Sequence, residues 1–341
     1  MKKSLMTLGV LALFVLMAYG QEKKFALYSV AFYNMENLFD TIHDEGKNDY
    51  EYLPNGTNQW NTMKYKAKLK NMSEILSLLS TDKLPMGPAI IGVSEIENYR
   101  VLEDILKQPA LADRGYQYVH YEGADQRGVD CAFFYNPKLF ELTNSKLVPY
   151  VYINDTVHKT RGFLIASGNI AGEKMHFIVN HCPSRAAASP ARERAGEQVR
   201  AIKDSLLRED SAAKIVIMGD MNDDPMDKSM AVALGAKRKP ADVGPTDLYN
   251  PWWDTLKKGY GTLMYKGKWN LFDQIVFTGN LLGTDRSTLK FYKHEIFRRD
   301  FMFQKEGKYK GYPKRTQAGG VWLNGYSDHL PTIIYLIKEV K

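Results

Sequence analysis

Apolar runs with the two-residue period of β-strands alternate along the chain with segments whose apolar residues recur at helical spacing. This alternation is typical of α/β proteins. Strands are predicted at Ala26–Tyr33, Ala89–Val93, Tyr116–His120, Asp130–Tyr135, Phe163–Gly168, Met175–Asn180, Lys214–Met218, Gln274–Phe277 and Pro331–Leu336. Helices are predicted at Thr62–Leu79, Arg100–Lys107 and Pro190–Leu207. Two stretches without clear periodicity, Asp40–Asn58 and Arg286–Arg315, are predicted to be long surface loops.

Polar side chains stand at the ends of the predicted strands. They are Asn34, Glu95, Asp130, Asn180 with His181, Asp220 with Asn222, Asp273, and Asp328 with His329. A single polar residue at such a place needs no explanation, because strands end and turns favour Asp and Asn. Repetition at so many strands is harder to attribute to turns. If the strands lie in neighbouring sheets, their ends converge and these side chains share one cleft.

The residue types in this set suit phosphate chemistry. The oxygen atoms of Glu95, Asp328 and Asn34, without clustered Cys or closely spaced His, favour Mg²⁺, Mn²⁺ or Ca²⁺ over zinc. Histidines beside such a metal site can serve as general acids, general bases or phosphate contacts. Hydrolysis of a phosphate ester needs an activated water, charge stabilisation on the phosphoryl oxygens and help for the leaving group. The set therefore favours phosphoester hydrolysis.

Eight segments carry a more specific signal when they are taken together. They are FYNMENLFD, GVSEIEN, RGVDCAFFY, KTRGFLIA, VNHCPSR, MGDMNDDP, NLFDQIVF and YSDHLP, which follow one another between residues 32 and 331. In content and order they resemble the motifs of the endonuclease/exonuclease/phosphatase superfamily, which includes deoxyribonucleases, sphingomyelinases and inositol polyphosphate phosphatases. The resemblance implies a four-layer α/β/β/α sandwich of two packed mixed β-sheets, with the site at one end.

The resemblance also implies roles for the carboxylates and amides. Glu95 would be the principal metal-binding carboxylate, with Asn34 beside it and Asp328 approaching from the last motif. Asp220 and Asn222 would orient the attacking water and contact the scissile phosphate. Their spacing of two residues suits this, because it places both side chains on one side of an extended segment.

Two histidines are catalytic candidates by the same resemblance. His329 would act at the scissile phosphate with Asp273 as its orienting carboxylate. His181 would be a second histidine, with Asp130 as its partner, and a candidate for protonating the leaving group. Which of the two is the acid and which the base stays open.

The substrate is less well specified than the reaction. Arg161 is similar to a phosphate-contacting arginine of the deoxyribonuclease branch, and Arg127 is either a second phosphate contact or a solvated loop residue. The segment 286–315 has ten Lys or Arg, three acids and seven aromatic residues, which suits phosphate contacts and base stacking or packing under the domain. An extracellular nuclease acting on DNA or RNA is the leading hypothesis. Phospholipids, sphingomyelin and inositol or sugar phosphates are alternative substrates, and no protein partner is implied.

Composition sets outer limits on these hypotheses. The chain has 341 residues, 44% of them apolar, a formal net charge of +7 and two cysteines. These figures exclude a disordered chain, a collagen and a disulfide-stapled mini-protein. The positive charge favours anionic partners. Cys131 and Cys182 are expected to be free buried thiols rather than a disulfide.

The first twenty residues have the layout of a secretory signal. Lys2 and Lys3 precede an apolar run of about 13 residues, and small residues follow before Gln21. The run is shorter than the roughly 20 residues that cross a bilayer. We therefore expect residues 1–20 to be a cleaved signal peptide, residues 21–341 to form one domain, and the protein to be exported to the periplasm or secreted.

Overall fold

A computed structural model describes residues 23–152 and 157–340; the predicted signal peptide lies outside these residues. The helices are α1 (Thr62–Leu78), α2 (Tyr99–Leu106), α3 (Ser189–Glu209) and α4 (Trp253–Lys257), and a π-helical turn covers Ser229–Leu234. The strands are β1 (Lys24–Leu38), β2 (Ile90–Ile96), β3 (Gln117–His120), β4 (Asp130–Tyr135), β5 (Glu141–Val148), β6 (Phe163–Ile170), β7 (Glu173–His181), β8 (Lys214–Asp220), β9 (Ala236–Lys237), β10 (Leu248–Tyr249), β11 (Leu263–Tyr265), β12 (Lys268–Asn270), β13 (Asp273–Thr278), β14 (Lys290–Ile296), β15 (Gln317–Ala318), β16 (Val321–Trp322) and β17 (Thr332–Val340).

Two large mixed sheets form the centre of the fold. The first has the strand order β14-β17-β1-β2-β4-β3, and the second has the order β5-β6-β7-β8-β13-β10-β9. The pairs β1–β2 and β7–β8 are parallel, whereas most other neighbours are antiparallel. In both sheets, therefore, two central strands end at the same edge.

Apolar side chains fill the spaces between four layers. Helices α1 and α2 cover the outer face of the first sheet, where Met72 and Ile75 are fully buried. The two sheets pack face to face over a core that includes Phe32, Phe177 and Met218. Helix α3 covers the outer face of the second sheet. This α/β/β/α arrangement confirms the predicted fold class.

The structure corrects one of the two predicted loops. Part of the segment 286–315 is strand β14, which pairs antiparallel with β17 at the edge of the first sheet. Its Phe291 and Ile296 pack against the core between the sheets. The strand escaped prediction because its half-buried positions alternate with Lys, His and Glu, and a bulge between Phe291 and Lys293 interrupts the two-residue period. The loop 40–58 contains only a single 3₁₀ turn, at Tyr50–Tyr52.

Two further observations concern the described residues as a whole. Cys131 and Cys182 are both buried and free, as expected from the sequence. Burial raises the pKa of the Cys182 thiol to about 12, so this thiol is unreactive at neutral pH. Among residues 23–152 and 157–340, no helix combines the length and the apolar character needed to cross a membrane.

Candidate active site

The site forms where the inward-facing side chains of four strands change from apolar to polar. In β8, Val216 and Met218 point into the core between the sheets, and Asp220 is the next residue with the same parity. The same alternation brings polar side chains to that face at the ends of three other strands: Asn34 in β1, His181 in β7 and Asp273 in β13. Strand register sets His181 opposite Asp220 and Asp220 opposite Asp273. The predicted convergence of these four residues is therefore present.

Glu95 reaches the same place through an irregularity in the backbone. The pairing of β2 with β4 shifts register between Ser94 and Ile96, which leaves Glu95 outside the regular ladder. Its φ angle is +58°, and Asn222, just after β8, has φ +50°. Left-handed conformations at residues other than glycine cost about 1–3 kcal/mol and cluster at functional sites. The left-handed backbone conformation at these two residues thus directs both side chains into the cleft.

Asn34 holds two carboxylates together. Its Nδ2 donates to Glu95 Oε1 at 3.1 Å and to Asp220 Oδ2 at 3.0 Å, while its Oδ1 accepts from the backbone N–H of Glu36 at 2.8 Å. The Glu36 N–H fixes this amide orientation, because it requires an acceptor. Its Oδ1 keeps a second lone pair, so metal binding by Asn34 stays a prediction. In the structure Asn34 positions Glu95 and Asp220.

His329 stands between two buried carboxylates. Its Nδ1 lies 2.7 Å from Asp273 Oδ2, the predicted orienting partner, and its Nε2 lies 3.8 Å from Asp220 Oδ2. Burial alone would lower the pKa of His329, but the charges of Asp273 and then Asp220 raise that pKa well above its usual value. Burial raises the pKa of Asp220 to about 7, an effect that His329 partly offsets. The carboxylates of Asp273 and Asp220 thus favour the protonated form of His329.

The pKa of His181 is shifted in the opposite direction to that of His329. Burial first, and then the charge of Arg161, lowers the pKa of His181 well below its usual value. Its Nε2 lies 3.6 Å from Asp220 Oδ2 and 3.7 Å from Glu95 Oε1, which is longer than a hydrogen bond. The site therefore shifts the pKa values of its two histidines in opposite directions.

The predicted pairing of His181 with Asp130 is wrong. The Asp130 carboxylate lies 3.2 Å from Nε2 of His120 and accepts from the backbone N–H of Gly123 at 3.0 Å. The Nδ1 of His181 has no hydrogen-bond partner in the described part of the chain. Asp130 has the same parity in β4 as Ala132 and Phe134, which pack against the helices on the outer face of the first sheet, so its side chain contacts the loop that precedes β4 instead of His181.

Asp328 has a partner within the protein. Its Oδ2 forms a salt bridge with Nη2 of Arg315 at 3.0 Å, and Arg315 Nε donates to Glu36 Oε1 at 2.8 Å. The buried Lys68 lies 4.0 Å from Glu36. Asp328 thus belongs to a chain of alternating charges beside the site, while its Oδ1 lies 3.9 Å from His329 Nε2. Metal binding by Asp328 stays a prediction.

The cleft above these residues is open and polar. It has a volume of about 570 Å³, and Glu95, His181, Asp220, Asn222 and His329 line it. The Nδ2 of Asn222 donates to the Cys182 carbonyl at 3.0 Å, which leaves its Oδ1 for the cleft. The two predicted substrate-binding arginines lie in the wall of the same cleft.

The two arginines differ in the number of contacts that hold their side chains in place. Arg161 is buried, and its guanidinium donates to Asp125 and to the carbonyls of His181 and Cys182, so it fixes the backbone of the His181 segment. Its remaining N–H groups leave the predicted phosphate contact possible. Arg127 is half exposed, and its Nε lies 3.4 Å from Asp125 Oδ1. Arg127 is therefore the freer cation for a substrate.

Sequence reasoning missed Arg315, His120 and Lys68. Nothing local marks the first two, because their partners come from distant loops. Lys68 carried a usable signal: it stands on the face of α1 that also bears Tyr65, Leu69 and Met72, where a buried cation requires a partner.

Comparisons with known proteins agree with this geometry. A sequence model of the Endonuclease/Exonuclease/phosphatase family matches residues 29–338. The chain belongs to this family. None of the curated proteins matches it. Membership makes the protein a phosphoester hydrolase, as the polar strand ends suggested.

Solved structures of other members share the fold at low sequence identity. An endonuclease/exonuclease/phosphatase family protein from Bacteroides thetaiotaomicron is 15% identical, with a TM-score of 0.58 over 93% of this chain and 97% of its own. A mannosyl-6-phosphatase from the same species is 14% identical, with a TM-score of 0.56 over 91% and 99%. TDP2 from D. rerio, complexed with a single-strand DNA product, is 15% identical, with a TM-score of 0.55 over 91% and 99%.

The family is dependent on a divalent metal, and the donor set fits one. Ligand atoms of Glu95, His181 and Asp220 lie within 4.8 Å of one another, and a neutral imidazole can coordinate a metal. One or two carboxylates suffice for Mg²⁺, which keeps several waters and binds substrate phosphate. Glu95 is the partly exposed member of this group and the one that we expect to bind the ion.

Proposed function

We propose that the protein is an exported, divalent-metal-dependent nuclease that hydrolyses phosphodiesters of DNA or RNA. The observation that carries the proposal is the placement of His329, held by Asp273 and facing Asp220, on the floor of a cleft that also holds Glu95. Cleavage of a phosphodiester requires a positive group beside the negatively charged phosphoryl oxygens and a base for the water. His329, whose pKa is raised, and Asp220 supply these two groups in the proposal.

Each residue receives a role from its protonation and its place. Asp220, whose raised pKa makes it a competent base, would take the proton of the attacking water. Asn222 would orient that water or a phosphoryl oxygen. His329 would donate a hydrogen bond from Nε2 to the phosphoryl group and then pass this proton to the leaving oxygen, and His181 would contact the phosphoryl group. A divalent cation at Glu95 would add charge neutralisation on the phosphoryl oxygens.

The openness of the cleft supports a polymeric substrate. The cleft is a broad, solvent-facing groove with Arg127 and Arg161 in its wall, so a strand can pass the site without threading into a closed cavity. TDP2 from D. rerio, which has the same fold, was solved in complex with a single-strand DNA product, and this supports a nucleic acid substrate. The mannosyl-6-phosphatase among the neighbours keeps a sugar phosphate as the second candidate.

A substrate panel tests this proposal. Plasmid DNA, RNA, sphingomyelin and inositol phosphates are incubated with the protein in Mg²⁺ or Mn²⁺, with a chelator control. We expect cleavage of DNA or RNA that the chelator abolishes and that His329→Ala and Glu95→Ala each reduce to a small but measurable residual rate. His176→Ala, which removes a buried histidine outside the cleft, is the matched control. Turnover of lipid or inositol phosphate without nucleic acid cleavage would refute the nuclease assignment.

Export has its own test. The proposal predicts that protein recovered from outside the cytoplasm begins at Gln21, which N-terminal sequencing reads directly. Recovery of the chain in the cytoplasm with residues 1–20 intact would contradict it.

A further inference from the structure

A second cavity adjoins the active site and has no role in the proposed chemistry. This side pocket has a volume of about 220 Å³, and Asn37, Glu51, Tyr52, Asn58, Arg315 and Gln317 are among its lining residues. It touches the site at two points. The backbone N–H of Asn37 donates to Glu95 Oε2 at 3.0 Å, and Arg315 is paired with Asp328, next to His329. It shares no lining residue with the cleft.

The polar wall of the side pocket has unused hydrogen-bonding capacity. The side chains of Asn37, Glu51, Asn58 and Gln317 have no hydrogen-bond partner among residues 23–152 and 157–340. Amide groups both donate and accept, and a carboxylate accepts, so together they match hydroxyl groups, which also do both. A ligand rich in hydroxyl groups is thus favoured over a purely anionic or purely apolar one.

The remaining walls are rigid. Tyr52 stacks on Phe39 with ring centroids 4.2 Å apart and meets Trp60 edge to face at 5.8 Å. Such aromatic groups offer a fixed apolar surface for the C–H face of a ring. On the opposite side, Glu36 and Asp328 fix the guanidinium of Arg315, and its Nη1 has no partner within the described chain. The pocket is therefore preorganised on both sides.

Size limits the ligand further. Pockets for drug-sized molecules measure about 300–1,000 Å³. The side pocket is smaller, so it suits one ring of a larger substrate. The ring must be linked to the reacting phosphate, because the pocket adjoins Glu95 and the Asp328–His329 segment.

We propose that the side pocket binds the sugar ring carried by the substrate phosphoester, and that Asn58 and Gln317 select it through its hydroxyl groups. This inference rests on the proposed phosphoester hydrolysis. It names the sugar as the group that the enzyme recognises in addition to the phosphate. The ring would be a ribose or deoxyribose in a nucleic acid and a hexose in a sugar phosphate.

The test compares substrates that share a leaving group and differ in the sugar. Thymidine 5′-(p-nitrophenyl phosphate) and glucose 6-(p-nitrophenyl phosphate) contain a sugar, whereas bis(p-nitrophenyl) phosphate does not. The measured quantity is the ratio of kcat/KM for a sugar-bearing ester to kcat/KM for the sugar-free ester. Because loss of one hydrogen bond weakens binding by about 0.5–1.5 kcal/mol, Asn58→Ala and Gln317→Ala should each lower this ratio roughly 2- to 10-fold.

The double variant should lower the ratio further, and the ester that loses more identifies the natural ring. Asn144→Ala, at an exposed position of the edge strand β5, is the matched control and should keep the wild-type ratio. Neither Asn58 nor Gln317 contacts Glu36 or Asp328, so these variants leave the charged network intact. An unchanged ratio in the double variant, with measurable turnover, overturns the sugar-pocket inference alone. Absence of turnover of all three esters by the wild-type protein in Mg²⁺ and Mn²⁺ overturns the proposed function and this inference with it.

Discussion

The contact between Asp273 and His329 allows the sharpest test of the site. Asp273→Asn keeps the size of a fully buried side chain and removes the charge that lies 2.7 Å from His329 Nδ1. A hydrogen bond to a charged group contributes about 1.5–3 kcal/mol. If the pair acts in the transition state, kcat/KM for a phosphodiester should therefore fall roughly 10- to 150-fold.

A double-mutant cycle locates the effect. In a His329→Ala background, Asp273→Asn has no imidazolium to stabilise, so it should change kcat/KM by less than about twofold. Asp49→Asn is a matched control, because Asp49 is buried and its carboxylate contacts Nδ1 of His43 outside the cleft. An equal loss in both backgrounds, or the same loss from Asp49→Asn, would refute the assignment of Asp273 as the residue that orients and charges His329.

Three further predictions address other parts of the molecule. Asn34→Ala removes two hydrogen bonds, to Glu95 and Asp220, and at about 1 kcal/mol each should lower kcat/KM by about 30-fold; wild-type kinetics would show that these carboxylates position themselves. Saturating Mg²⁺ should raise the free energy of unfolding by about 2.7 kcal/mol at a hundredfold excess over Kd, and the midpoint of thermal unfolding should rise with it; Glu95→Gln should remove this effect whereas His329→Ala should not, and a Mg²⁺ response that persists in Glu95→Gln would place the ion elsewhere. Burial and then Lys258 lower the pKa of His294 to about 4, so the unfolded chain binds a proton there between pH 6.5 and 4 and the folded chain does not. Stability from this group should therefore fall by about 2 kcal/mol from pH 7 to pH 5. Urea unfolding should show that His294→Gln lacks this component, and an identical pH dependence in the variant would contradict the buried neutral imidazole.

The features that were predictable from sequence depend on the spacing of apolar residues within one strand. Apolar residues at every second position of β8 fix which face is inward, and Asp220 continues that face, so its place could be read from a seven-residue pattern. The same holds for Asn34, His181 and Asp273. Strand pairing then follows from packing the inward faces together.

The features that were missed depend on contacts across long separations. Asp130 was paired with His181 through the family resemblance, but its side chain lies on the outer face of β4 and contacts His120. Arg315 meets Asp328 only because the loop carrying it folds back between β14 and β17. Periodicity specifies the face on which a residue lies, and it does not specify which loop residue arrives opposite.

The shared inward face also determines which changes in chain length the enzyme can survive. A one-residue insertion within β8 would turn Asp220 to the outer face and bring a neighbour into the cleft, because side chains alternate. A two-residue insertion would restore the face but shift Asp220 by about 6.6 Å along the strand, away from its partners on β7 and β13. The central strands should therefore have the same length in homologous proteins, and insertions and deletions should occur only in the loops that connect these strands.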